Sequence, residues 1–176
     1  MSIIPAFELG LWNAWIFILP IIFASIFGAR ILSKRKSEEG SGVTKGKTAS
    51  MLYFSIILLL YAYSVFLPLQ LNTWFVIGLI IYLPAIFFQF LGLLNFASTP
   101  IDGLVTKGVY SISRNPLYVS DFLLMISIGI ACLSWIFPLV AIANFLLLRY
   151  YVVTVEEPFL TEKYGDTYRE YMNRTP

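Results

Sequence analysis

From Thr48 to Ile101 the chain carries no charged side chain, and this run sets most of what the fold can be. A spanning helix needs roughly 20 apolar residues, so the run is too long for one. Leu67-Pro68-Leu69-Gln70-Leu71-Asn72-Thr73 supplies the turn that splits it in two. Two further uncharged runs flank it, Leu11 to Ala29 and Phe122 to Leu148. The 176 residues are 59% hydrophobic and 12% charged, with a mean hydropathy of +0.79, against about 25% charged in ordinary soluble domains. Runs and composition agree on an all-α, polytopic integral membrane protein.

The third run poses the topological question. Phe122 to Leu148 would be about 40 Å long as one helix, at roughly 1.5 Å per residue, against a hydrocarbon core of about 30 Å. One tilted span and a tight hairpin both fit. Ser134, Trp135 and Pro138 mark a turn midway through the longer stretch from Pro116 to Val155, which only Asp121 and Arg149 interrupt. Charge favours the hairpin. All twelve Lys and Arg lie in Arg30 to Lys47, at Lys107 and Arg114, or from Arg149 onward. Five helices put every one of them on the same side, which the positive-inside rule makes cytoplasmic. Four would send Arg149, Lys163, Arg169 and Arg174 outside. The expectation is therefore five spans, near residues 11–32, 50–68, 73–95, 117–133 and 136–155, ending in a helical hairpin and an interfacial tail. The N-terminus would lie outside and the C-terminus in the cytoplasm, in the cytoplasmic membrane of a prokaryote or the endoplasmic reticulum of a eukaryote. The first run has no basic residue ahead of it and Arg30-Ile31-Leu32-Ser33-Lys34-Arg35-Lys36 behind it, which suits a retained anchor rather than a cleaved signal.

Several chemistries are excluded outright. Cys132 is the single cysteine and histidine is absent, so no intrachain disulfide, H-E-x-x-H zinc site or histidine-based triad is available. No metal site is expected. A net charge of +2 is too small to point to nucleic acid, and the basic stretch from Lys34 to Lys47 suits topology and headgroup contact. Within it, Ser41-Gly42-Val43-Thr44-Lys45-Gly46-Lys47-Thr48 misses a phosphate-binding loop by having Ser41 in place of the first glycine and by lacking a preceding strand. Its composition is that of a linker.

Polar residues gather at the two ends of the third run, which in a membrane protein is where chemistry is expected. At the first end, Gly108 permits a turn, Asn115 suits a helix N-cap, Pro116 suits the first helical turn and Arg114 marks the interface. At the second end stand Glu156 and Glu157. Adjacent carboxylates at a helix end repel one another and oppose the macrodipole, so a cation should compensate them. Arg149, seven residues before Glu156, Arg114, brought close by the hairpin, or a bound organic cation would serve. The alternative is a solvated acidic edge paired with Lys163 or Arg169.

Gly103-Leu104-Val105-Thr106-Lys107-Gly108-Val109-Tyr110, then Arg114-Asn115-Pro116-Leu117-Tyr118, then Glu156-Glu157 and Leu160 to Tyr171 together resemble the isoprenylcysteine carboxyl methyltransferase and phospholipid methyltransferase superfamily. The likeness covers the C-terminal part in order and spacing. The resemblance implies a membrane methyltransferase that uses S-adenosylmethionine, with Arg114, Glu156 and Glu157 in catalytic roles. It further implies that Gly108, Asn115, Pro116 and Tyr118 join those three in enclosing the cofactor, and that Leu104, Val105 and Tyr110 hold its adenosine part. Residues 1–98 would then be the scaffold and acceptor pocket, and residues 99–176 the cofactor-binding core.

The chemistry agrees with the residues present. S-adenosylmethionine carries a sulfonium, an ammonium and a carboxylate, which call for carboxylates and a cationic group. Methyl transfer to a nucleophilic acceptor depends mainly on alignment and desolvation, so the missing histidine does not exclude it. Asn115 stands where isoprenylcysteine enzymes usually have histidine, and Val152 where relatives often have arginine. Both departures shift the expected acceptor from a prenylated cysteine to a membrane lipid or another lipophilic nucleophile. The rivals are a sterol-type membrane reductase using NADPH, disfavoured because only Lys107 and Arg114 could meet a 2′-phosphate, and a non-enzymatic membrane scaffold. In the tail, Pro158 opens a short helix, Gly165-Asp166 ends it and begins another, and Tyr168 and Tyr171 suit an interfacial belt.

Overall fold

The computed structural model describes residues 8–39 and 47–176. Residues 1–7 and the loop at 40–46, read above as a linker, lie outside the described residues. Among those described, the architecture is all-helical: α1 (Trp15–Glu39), α2 (Lys47–Ser64), α3 (Thr73–Ser98), α4 (Pro116–Ala131), α5 (Ile136–Tyr151), α6 (Glu157–Tyr164) and α7 (Asp166–Arg174). A 3-10 turn at Gly108–Ser111 precedes α4, and a widened turn at Val152–Glu156 joins α5 to α6. Thr73–Ser98 and the continuous stretch Ile136–Tyr164 are long and apolar enough to cross a membrane, whereas the apolar stretches Trp15–Ile31, Ser55–Ser64 and Pro116–Ala131 are shorter.

The third apolar run is a hairpin and not one tilted helix. Leu133 takes a left-handed φ of 54°, and Ser134 N–H returns to Gly129 O at 2.9 Å. The turn is further tied to α2, with the Tyr63 hydroxyl 3.1 Å from Ser134 Oγ. The split in the long run also falls where expected, and Asn72 caps α3 by accepting the Phe75 N–H at 3.0 Å.

The first helix begins later than residue 11. Asn13 is only 2% exposed, and its amide donates to Glu8 O at 2.6 Å and to Val65 O at 2.7 Å. Ala14 N–H and Leu67 O, and Leu69 N–H and Trp12 O, pair at 2.9 and 3.0 Å. These bonds hold residues 8–14 as an extended strap against the α2–α3 turn, so helical bonding starts only at Trp15.

Packing centres on α3 and α4, the most extensive helix pair. They run antiparallel, and Gly78 lets them touch: a Cβ there would lie 2.6 Å from Ala131 Cβ and 2.7 Å from Ser127 O. Phe17, Ile18, Tyr82, Ile86, Leu124 and Ile128 fill the adjoining core. Outside it, Leu58, Ile80, Phe87, Leu139 and Leu146 are exposed, an apolar surface that suits hydrocarbon rather than water.

Candidate active site

The loop from Thr99 to Asn115 folds back on the end of α3. Asn95 is its anchor: its main-chain carbonyl accepts from Thr99 Oγ1 at 2.8 Å and its side-chain oxygen from Val109 N–H at 3.0 Å. Gly108 is required between them, because its φ is +64° and a Cβ would strike Asn95 Oδ1. Val105, Val109 and Tyr110 then bury themselves against Phe88, Leu91 and Phe96. Leu104 is half-buried beside them.

The tail closes over this loop. Tyr168 and Tyr171 are each 3% exposed, so they are not the interfacial belt expected from their composition. Tyr171 donates its hydroxyl to Tyr110 O at 2.6 Å. Burial, ahead of the repulsion from Tyr168, pushes the Tyr171 phenol up to about 12, which keeps it protonated as a donor. Arg114 N–H bonds Pro176 O at 2.8 Å. Gly165, with a φ of +56°, lets α7 turn back after α6, as the Gly165-Asp166 pair suggested.

Glu156 and Glu157 do not sit at a helix end. Helical structure continues past them through Val152–Glu156, where Glu157 N–H reaches back five residues to Val152 O. Pro158 has no N–H to continue the regular ladder, and the wider turn accommodates it. The macrodipole argument therefore does not apply at this position. Glu157 meets Arg114 Nη1 at 2.8 Å, with the two side chains 18% and 15% exposed, and Arg149 Nη1 at 4.0 Å. Arg149 is itself 56% exposed, so it is the weaker compensator. Glu156 has a neutral partner: Tyr118 donates its hydroxyl to Glu156 Oε1 at 2.7 Å. Arg169, offered as an alternative partner for the acidic pair, binds Asp166 instead at 2.8 Å.

Arg114, Tyr118, Glu156 and Glu157 thus come together where α4 begins and the α5–α6 helix widens. Asn115 occupies the N-cap position of α4, but its side chain caps nothing. Its N–H goes to Ser113 Oγ at 3.3 Å. Pro116 is buried in the first turn of α4, as its missing N–H favours. Val105 and Tyr110 are packed inwards as core.

The close contact between Arg114 and Glu157 is an ion pair without hydrogen-bond alignment. Arg114 Nε is buried with no hydrogen-bond partner among the described residues. Carboxylates that can meet a cation, Glu156 and Glu157, and guanidinium groups that can meet a carboxylate, Arg114 and the more exposed Arg149, stand together here. That donor set fits S-adenosylmethionine. An open, shallow groove of about 520 Å³ passes the outer side of Glu157, lined in part by Val153, Pro158, Thr161, Arg169 and Met172.

Sequence reasoning missed the polar groups that α3 contributes. Gln89 Nε2 donates to Asp121 Oδ1 at 2.9 Å, and Ser120 Oγ donates to Gln89 Oε1. Gln89 and Asn95 were visible as polar breaks in an apolar helix, spaced so as to face the loop and α4.

The family model described as Phospholipid methyltransferase matches residues 59–167. The chain belongs to the phospholipid methyltransferase family. No curated protein matches the chain, and no solved structure does. The phospholipid methyltransferase match runs from α2 to the start of α7 and takes in all of α3 and both polar clusters. The family belongs to the same superfamily as the isoprenylcysteine enzymes, so the likeness read from the two clusters stands. With its apolar helices, the chain is a membrane protein of a methyltransferase family.

Proposed function

We propose that this protein transfers a methyl group from S-adenosylmethionine to the amine headgroup of a membrane phospholipid. The observation that carries this reading is the meeting of Arg114 with Glu157 and of Tyr118 with Glu156, inside the stretch matched by the family. When bound, the cofactor supplies an electrophilic methyl on a sulfonium. The Glu156 and Glu157 carboxylates attract its cationic groups, and the buried Arg114 guanidinium, with Nε unengaged, receives its carboxylate. Leu104, Gly108, Asn115 and Pro116 would enclose the cofactor from the loop side, with Val105 and Tyr110 packed beneath the loop. Gly108 and Asn95 fix the loop, and the Tyr171–Tyr110 bond holds the tail across it. Residues 99–176 supply most of the cofactor side, and residues 1–98 form the acceptor side together with α4 and α5.

The test is direct. Purified protein should bind S-adenosylmethionine and not NADPH, and should move radiolabelled methyl onto phosphatidylethanolamine within a total lipid extract. Transfer to a farnesylated cysteine analogue should be absent, and Asn115→His alone should not create it. Robust methylation of that analogue by the unmodified protein would defeat the lipid assignment. Binding of NADPH alone would favour the reductase.

Five spans with a cytoplasmic C-terminus go with this function, since S-adenosylmethionine is a cytosolic metabolite and the two clusters would then lie at the inner interface. In a Cys132→Ser background, Leu71→Cys and Trp135→Cys, both highly exposed positions, should react with an impermeant thiol reagent from outside. Labelling of the Trp135 position only after the cytoplasmic face is opened would contradict the orientation.

A further inference from the structure

The polar groups do not stop at the carboxylate pair but continue into the apolar bundle. One turn along α4 from Tyr118 stands Asp121, and the two share a helix face. Gln89 Nε2 donates to Asp121 Oδ1 at 2.9 Å. Ser120 Oγ is 0% exposed and lies against Gln89 Oε1, with Leu117 O 2.8 Å away as the alternative acceptor for its single proton. This contact orients the Gln89 amide, because a hydroxyl donor at its oxygen leaves the NH2 facing Asp121. Helices α3 and α4 therefore place polar groups together one turn along from Tyr118, which itself holds Glu156.

Asp121 is half-buried and is the one acidic residue between Asp102 and Glu156. Carboxylates in apolar helices are costly, and they mark places where charge is handled. Beside it, Phe122 packs against Phe145 of α5 with ring centroids 5.0 Å apart, an apolar wall that suits acyl chains. Anionic and apolar surfaces side by side match the two parts of an amine lipid.

We infer that Asp121, oriented by Gln89 and Ser120, binds the amine of the acceptor lipid as its ammonium and holds it one helical turn inward of the Glu156–Tyr118 pair. There the Glu156 carboxylate takes the proton that the nitrogen must lose before its lone pair can accept the methyl group. The inference rests on the methyltransferase reading above and adds the residue that selects an amine headgroup over a neutral or anionic one. The competing role is structural, with Gln89 and Asp121 merely clamping α3 to α4. Asp121→Asn separates the two, because the amide keeps an acceptor oxygen for Gln89 and loses only the charge.

Wild type and Asp121→Asn, purified in detergent micelles, should be compared for binding of fluorescent phosphatidylethanolamine and phosphatidylglycerol, S-adenosylmethionine affinity, methyl transfer and melting temperature. The variant should keep the melting temperature and cofactor affinity. Its dissociation constant and KM for the amine lipid should rise about tenfold or more, the scale of one charge-assisted contact, with kcat at saturating lipid affected less. Unchanged amine-lipid affinity in the variant would overturn the assignment, as would equal binding of the two lipids by wild type. Asp121-dependent binding of the amine lipid without methyl transfer would uphold the site and defeat the methyltransferase reading instead.

Discussion

Arg114→Met is expected to destabilise the protein by about 3 kcal/mol and to weaken S-adenosylmethionine binding at least roughly tenfold, because it leaves Glu157 buried without its nearest counter-charge. The pair is only 15% and 18% exposed, so solvent gives little relief. Arg149, at 4.0 Å and 56% exposed, recovers a fraction of the lost attraction, as exposed partners do. Glu157→Gln should be damaging for the converse reason, since it strands the guanidinium. Glu156→Gln should behave differently: Tyr118 can still donate to the amide oxygen, so the fold should hold while the cofactor loses a carboxylate.

The decisive comparison is the double variant Arg114→Met/Glu157→Met. Replacing both partners of a buried ion pair with apolar side chains is often neutral for stability. Melting in detergent should therefore return close to wild type, while titration with S-adenosylmethionine should show no recovery of binding. A double variant that bound the cofactor like wild type would reduce the pair to a clamp between the start of α4 and the helix that carries Glu157.

Why some of this was legible in the sequence and some was not has a physical basis. Helix existence followed from uncharged runs, and the two interhelical turns from Pro68 and from Ser134-Trp135, because in a chain this apolar little else can end a helix. Arg114 and Glu157 could be paired in advance because a hairpin must return the chain to the level where it began. The register of α3 against α4 could not be read, since Gln89 and Ser120 meet only once Gly78 and Gly92 have set how closely the helices approach. The continuation of the helix past Glu156 was hidden for a related reason. A proline two residues later reads as a boundary, and only the five-residue backbone bond from Glu157 to Val152 lets the helix absorb it. Tyr168 and Tyr171 were misassigned to a lipid interface because a buried tyrosine with a satisfied hydroxyl has the same composition as an interfacial one.

Gly78→Leu is expected to be the most damaging change in the scaffold. The atoms a Cβ would meet at Gly78 are Ala131 Cβ at 2.6 Å, Ser127 O at 2.7 Å and Ala131 N at 2.8 Å. Two of them are backbone and the third is fixed to it, so no rotamer change relieves the overlap. Helix α4 must move away from α3. Even Gly78→Ala should cost about 1–3 kcal/mol, the usual range for overpacking a close contact, and leucine should exceed it. Gly92 is the control on the same helix pair. A Cβ there meets Leu117 Cδ2 at 2.7 Å, the end of a flexible side chain that can turn aside, so Gly92→Ala should cost distinctly less. The consequence reaches the site, because separating α3 from α4 pulls Gln89 from Asp121 and shifts Asn95, which holds Val109 and the loop leading to Arg114. Melting temperatures in detergent should rank wild type, then Gly92→Ala, then Gly78→Ala, then Gly78→Leu, with methyl transfer falling in the same order. If Gly78→Ala melts with Gly92→Ala, α4 is free to recede at that crossing, and the α3–α4 contact does not set the geometry of the site.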